Sequence, residues 1–193
     1  MSRILVIYGT TDGQTAKIAA ALGEGLRTNG AIADVYRASD EAPGPDSYDG
    51  VIVAASLHAS GYQRAVRRWL RTHAATLRGK TTGFVSVCLG ILQHDPAVDR
   101  ELAAIRAKLF LSTDWQPTQV LTVAGALPYT RYGWLKRWAL RRIVKKAGGD
   151  TDTSRDYEYT DWAQVNGFAA SFANAVILAT RAGRPEHSSA EVA

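Results

Sequence analysis

Short apolar runs rich in β-branched residues alternate with stretches of helical spacing along most of this chain. That alternation constrains the fold more than any other feature. "RILVIYG" (Arg3–Gly9) is apolar through its middle and bounded by glycine, the pattern of a buried strand. Thr15–Leu26 follows with Ile18, Ala19, Leu22 and Leu26 on one helical face, and Asn29-Gly30 supplies the stop. "IADVYRA" (Ile32–Ala38) reads as a second strand and "VIVAASL" (Val51–Leu57) as a third, joined by the turn-rich "DEAPGPDSYDG". An amphipathic helix is expected over Tyr62–Leu77, with Ala65, Val66, Trp69, Leu70 and Leu77 inward. Thr81–Leu89 is a fourth strand, Asp95–Leu111 a helix opened by Asp-Pro, and Thr118–Leu127 a fifth strand. The last helix is expected from Asp161 to about Thr180, and the polar tail Arg181–Ala193 is expected to be disordered.

Strands that alternate with helices imply a parallel sheet covered on both faces. Five strands make the doubly wound order 2-1-3-4-5 the leading topology, with its ligand crevice at the C-terminal ends of strands one, three and four. The 193 residues suit one domain, expected over 1–180. One stretch resists this scheme. About 128–160 is too long for a simple strand-to-helix connection, and such insertions commonly carry function.

Charge marks the same stretch. The chain carries 23 bases against 18 acids, yet Trp115–Gly149 holds seven bases and no acid. The rest of the chain is slightly acidic, so the basic character points to a local anionic partner. Drawn as a helix, Trp134–Lys146 gathers Ala139, Leu140, Ile143 and Val144 on one arc. Trp134, Arg137, Trp138, Arg141, Arg142 and Lys145 share most of the opposite one. Tryptophan among bases on an outward face is the composition of an interfacial anchor for anionic lipid. A solvated or self-packed basic helix is the alternative, and nucleic acid is the least favoured partner. No run of about 18 apolar residues spans a membrane, and no secretory leader is recognised. The single Cys88 suits a reducing cytoplasm and reads as a small buried hydrophobe rather than a nucleophile. The expected location is therefore cytoplasmic, peripheral on the inner face of the cell membrane where the anchor engages. The acidic linker lacks the glycine and the final acid of a calcium loop, so no metal is expected. Its acids are expected to pair with the basic segment and to cap the last helix through Thr160 or Asp161.

The first loop, "YGTTDGQT" (Tyr8–Thr15), is rich in hydroxyls and opens a helix. Helix N-termini present N–H groups and positive potential, a natural phosphate site. The loop is neither GxGxxG nor a Walker loop, and a plain strand-to-helix turn with Thr caps is the alternative. Thr10-Thr11-Asp12-Gly13-Gln14-Thr15 resembles the Thr/Ser-x-Thr-Gly-x-Thr phosphate loop of flavodoxin-like proteins, with Asp12 replacing a threonine. The resemblance extends to the menaquinone-dependent protoporphyrinogen dehydrogenases through "AASLHASGY" (Ala54–Tyr62), "VAGALPYTRYGW" (Val123–Trp134) and "GGDTDTSRDYEYTDWAQV" (Gly148–Val165). It runs from about residue 3 to 178, and the last two segments are absent from ordinary flavodoxins.

This resemblance implies a flavodoxin-like α/β fold with a basic helical insertion after strand five, FMN as cofactor, and oxidation of protoporphyrinogen IX with menaquinone as acceptor. It implies a cofactor site formed by Thr10, Thr11, Asp12, Gly13, Gln14 and Thr15 for the phosphate. Ser56, Leu57, His58 and Tyr62 would lie on one side of the ring, and Ser86, Val87, Cys88, Leu89 and Gly90 on the other. Tyr62 is a candidate for stacking on the flavin, or else packs on the body. His58 approaches the flavin edge, or else is solvated. Asp12 is expected to cap the first helix, accepting from Gln14 or Thr15, with its carboxylate turned away from the phosphate. The strand-four loop "SVCLGILQHDP" is less basic than the family pattern. No side chain stands out as catalytic acid or base. A carrier flavodoxin, another FMN-dependent quinone reductase and a membrane module without FMN are the alternative functions. Self-association stays open.

Overall fold

The computed structural model describes residues 1–58, 61–127, 130, 152 and 154–182. Its main sheet has five parallel strands: β1 (Arg3–Gly9), β2 (Ile32–Arg37), β3 (Gly50–Ser56), β4 (Thr81–Val87) and β5 (Gln119–Val123), in the order β2-β1-β3-β4-β5. Ile4 stands opposite Ala33 on one side and Gly50 on the other, and Gly83 opposite Gln119. The expected topology is the one observed.

Alternation along each strand divides the core into two layers. Ile4, Val6, Ile52 and Val85 face helices α1 (Gln14–Thr28) and α4 (Trp162–Ala182), meeting Ile18, Leu22, Phe172 and Val176. Leu5, Ile7, Val53 and Phe84 face α2 (Arg64–Leu77) and α3 (Pro96–Thr113). There Phe84 makes edge contacts to Phe110 and Trp115, with ring centroids 5.4 and 6.0 Å apart. Each such fully buried side chain contributes about 1.5–3 kcal/mol of transfer free energy.

Local chemistry sets the helix ends. Asn29 Nδ2 donates to the Gly25 carbonyl at 2.7 Å, and Gly30 takes a left-handed φ of 84°, which stops α1. Asp95 Oδ1 accepts from the Ala97 N–H at 2.7 Å, so Asp-Pro opens α3. Asp161 Oδ1 accepts from the Gln164 N–H at 3.1 Å and caps α4.

Three expectations need correction. Helix α2 starts at Arg64, not Tyr62. The run read as one strand over Thr118–Leu127 stops at Val123, because the chain turns away at Ala124-Gly125. Ala126–Leu127 (β6) then pairs antiparallel with Tyr157–Glu158 (β7), a ribbon joining both ends of the insertion. Glu158 pairs at 3.0 Å with Lys17 of α1 rather than with the basic segment. The anchor residues Trp134, Arg137, Trp138, Arg141, Arg142 and Lys145 lie outside the described residues, as does the tail beyond Ala182; Arg181 and Ala182 still belong to α4. Among the described residues, no helix is long and apolar enough to cross a membrane.

Candidate functional site

The loops after β1, β3, β4 and β5 converge on a cleft of about 540 Å³ at the C-terminal end of the sheet. It is lined by Thr10, Asp12, Gln14 and Thr15 from the first loop, by Ser56, Leu57 and His58 from the third strand, and by Val87, Cys88, Leu89 and Gly90 from the fourth. These sequence-nominated residues do come together. Gln93 comes from the strand-four loop, but the rest of the lining was not foreseen: Val98, Glu101, Leu102 and Ile105 on α3, and Gly125, Ala126 and Leu127 beside the ribbon.

The first loop is shaped by Gly13, whose φ of 99° is left-handed and favours residues without a Cβ. Its N–H donates to Thr10 Oγ1 at 2.9 Å, and its carbonyl accepts from Ala16 and Lys17 at 3.1 and 3.4 Å. Gly13 therefore occupies the cap position of α1. Asp12 is not the helix cap it was expected to be, because the turn at Gly13 starts the helix one residue later. Its Oδ2 lies 3.9 Å from His58 Nε2 instead.

Thr15 is 1% exposed, and its Oγ1 has no hydrogen-bond partner. A buried hydroxyl left unsatisfied costs about 1–3 kcal/mol, so this atom is suited to a ligand oxygen. The first-turn N–H groups of α1 lack intrahelical partners by helix geometry and add positive potential at the same place. A phosphate group fits this donor set. Gly9, directly before the loop, allows close approach of α2: a Cβ there would stand 2.5 Å from Val66 Cγ2.

Tyr62 corrects the stacking expectation. It is 6% exposed and outside the cleft lining. Its ring meets Phe84 edge-on at 5.2 Å, and its hydroxyl shares a 2.8 Å hydrogen bond with Ser86. Burial pushes the phenol up to about 12, against the lowering influence of the Ser86 hydrogen bond. Ser86, at 1% exposure, likewise faces the core rather than the cleft. Tyr62 lies before the Gln63 cap of α2, and it joins Val66, Trp69 and Leu70 in the same buried cluster. Cys88 is buried, and burial raises its thiol above the usual range, which suits a small hydrophobe.

Gln63 escaped the sequence reading. Its Nε2 donates to Ser56 Oγ at 2.6 Å and to Thr11 Oγ1 at 3.2 Å, tying the first loop to the end of β3. Thr11 and Gly13 do not line the cleft; Gly13 borders a neighbouring cavity of about 190 Å³ beside Lys17, Tyr157 and Glu158. Gln14 Nε2 donates to Thr160 Oγ1 at 2.9 Å, and Thr160 donates to the Ala124 carbonyl at 3.0 Å. The root of the insertion is thereby bonded to the first loop. Among the described residues, no cluster of ligating side chains could hold a metal ion.

Comparison with known proteins agrees with this geometry. The flavodoxin domain profile matches residues 5–154. The Escherichia coli K12 protein named protoporphyrinogen IX dehydrogenase [quinone] is 34% identical over 173 residues, covering 89% of this chain and 95% of the relative. A Leishmania major protein of the same name is 30% identical over 176 residues, covering 89% of this chain and 74% of the relative. Oxidised flavodoxin 1 from Bacillus cereus superposes with a TM-score of 0.54 at 15% identity, over 90% of this chain and 98% of its own. Two-electron reduced Megasphaera elsdenii flavodoxin superposes with a TM-score of 0.52 at 13% identity, over 89% and 98%. These last two show the fold. The chain belongs to the flavodoxin-domain family, whose cofactor is FMN, and within it to the group of quinone-linked protoporphyrinogen IX dehydrogenases.

Proposed function

We propose that this protein is an FMN-dependent oxidoreductase that oxidises protoporphyrinogen IX and passes the electrons to a quinone such as menaquinone. The observation that carries the reading is the end-to-end match to the Escherichia coli enzyme, 95% of whose length is covered. Support comes also from a cleft whose first loop carries a buried, unpartnered hydroxyl at a helix N-terminus.

In this reading the Thr10 and Thr15 hydroxyls and the N–H groups of Gln14 and Thr15 hold the FMN phosphate. Neutral donors suffice because the helix terminus contributes positive potential. Ser56, Leu57 and His58 flank the ring on one side, and Val87, Cys88, Leu89 and Gly90 on the other. FMN supplies the acceptor for the substrate's electrons; the chain orients it and excludes water around it. Val98, Leu102, Ile105 and Leu127 form an apolar wall suited to a large macrocycle. The basic segment with Trp134 and Trp138 provides peripheral contact with anionic lipid, where a lipid-soluble quinone is found.

Anaerobic mixing of the FMN-loaded protein with protoporphyrinogen IX tests the reading. The flavin colour is expected to bleach, and a menaquinone analogue added afterwards to restore it. A flavin that stays oxidised in the presence of the porphyrinogen would overturn it.

A further inference from the structure

The loops after β1 and β3 bring a carboxylate and an imidazole together at the mouth of the cleft. Asp12 Oδ2 lies 3.9 Å from His58 Nε2, and both residues line the cavity. Neither position is casual. The left-handed turn at Gly13 takes the capping place from Asp12, and its carboxylate lies beside His58 instead. The His58 backbone is held by a reciprocal pair with Gly61: its N–H donates to the Gly61 carbonyl at 2.9 Å, and its carbonyl accepts from the Gly61 N–H at 3.0 Å. The His58 side chain keeps 43% exposure, so a ligand in the cleft and solvent can both reach it. Among the described residues, the other titratable groups lining the cleft are Cys88 and Glu101. Imidazole is the side chain there whose ordinary titration falls between about pH 5 and pH 8.

Resting on the porphyrinogen reading above, we propose that His58 accepts the proton released when the substrate is oxidised, with Asp12 as its positioning residue. The first two-electron oxidation breaks one C–H and one N–H bond of the macrocycle. The C–H hydrogen leaves with its electron pair as hydride to FMN. The N–H electron pair stays on nitrogen and forms the new C=N bond, while the proton passes to the His58 ring. The imidazolium so formed faces the Asp12 carboxylate, which favours it electrostatically, and later releases its proton to solvent. The substrate's proton thus has a defined acceptor beside the ring that receives the hydride.

The test compares wild type, His58→Gln and Asp12→Asn as FMN-loaded full-length proteins. Rates of flavin reduction by protoporphyrinogen IX are followed from about pH 5 to pH 9, spanning the ordinary imidazole value of about 6.5. Because the neutral ring is the base, the wild-type rate should rise with pH through that range. His58→Gln, saturated with FMN, should lose about 10²-fold in rate, together with the pH dependence. Asp12→Asn should move the midpoint to lower pH, since the carboxylate favours the protonated ring. In the cofactor-free chain, the His58 ring followed by NMR should titrate at correspondingly lower pH in Asp12→Asn. A His58→Gln variant with the wild-type rate and pH profile overturns the inference while leaving the porphyrinogen reading intact. Unmoved midpoints in Asp12→Asn overturn the positioning role. A wild-type flavin that porphyrinogen does not reduce overturns that reading and this inference with it.

Discussion

The two ends of the sheet each hold a cavity of similar size, about 540 Å³ at the C-terminal ends of the strands and about 510 Å³ near their N-terminal ends. Volume does not distinguish them; the bonding of their polar groups does. Around the N-terminal cavity, the Arg3 N–H donates to Asp49 Oδ2 at 2.7 Å, Ser2 Oγ to Thr180 Oγ1 at 3.3 Å and Asn29 Nδ2 to the Gly25 carbonyl at 2.7 Å. Outside its lining, Arg3 Nη2 and Tyr48 both donate to Asp34 Oδ2 at 3.0 Å, and Lys80 donates to the Tyr48 carbonyl at 2.6 Å. Those groups satisfy one another. At the C-terminal end, Thr15 Oγ1 is buried without a partner, and α1 begins with N–H groups aimed outward. Among the described residues it is the one unpartnered buried side-chain atom lining either cavity. The N-terminal cavity is lined by groups that bond within the protein. The other is built to be completed by a ligand.

Four perturbations sharpen this contrast, from the largest expected effect to the smallest. Gly9→Val inserts atoms where even a Cβ would stand 2.5 Å from Val66. Overpacking of that kind costs about 3 kcal/mol at its upper range, read as a lowered denaturant midpoint together with weakened FMN binding. Thr15→Val keeps the shape but removes the orphaned hydroxyl. Loss of a hydrogen bond to a charged group, about 1.5–3 kcal/mol, predicts FMN affinity roughly 10- to 100-fold weaker by fluorescence titration. The cofactor-free protein should be no less stable, because no internal hydrogen bond is lost.

Tyr62 tests the floor beneath the cleft. Its phenol titrates at about 12 in the folded protein because of burial, against about 10 when unfolded. A raised value favours the protonated form in the folded state. The contribution is therefore fully present below about pH 10 and is lost as pH rises toward 12. Denaturant melts of wild type should weaken over that window, and Tyr62→Phe should lack this part of the alkaline loss. The smallest effect belongs to the far end. Asp34→Ala removes the Arg3 and Tyr48 contacts and should cost about 1 kcal/mol while leaving FMN affinity unchanged.

Much of the sheet could be read from the sequence because its signals are local. β1 and β3 are apolar runs bounded by glycine or turn residues, and their observed ends agree with the reading to within a residue. Asn29-Gly30 and Asp95-Pro96 are short-range stop and start signals that act through their own backbone. The misread features depend on longer-range geometry. Asp12 was taken for a cap because the left-handed turn at Gly13 cannot be seen in residue types alone. Tyr62 follows the third strand and so looks like a cleft residue, although its contacts to Phe84 and Ser86 hold it in the core. The β6–β7 ribbon pairs two residues with two others about thirty positions away, and such short non-local pairings leave no periodicity to detect. The α3 wall of the cleft escaped for the same reason: Val98, Leu102 and Ile105 look like any inward helix stripe.

The central claim is that the C-terminal end of the sheet is the cofactor end. Backbone amide NMR of the cofactor-free chain titrated with FMN tests it most directly, because both ends are observed in one experiment. The account predicts large shifts for Gly13, Gln14, Thr15, Leu57, His58, Leu89 and Gly90, with Ser2, Gly30, Asp49 and Thr180 unmoved. Shifts concentrated at Ser2, Gly30, Asp49 and Thr180, with the Gly13–Thr15 amides unchanged, would contradict it.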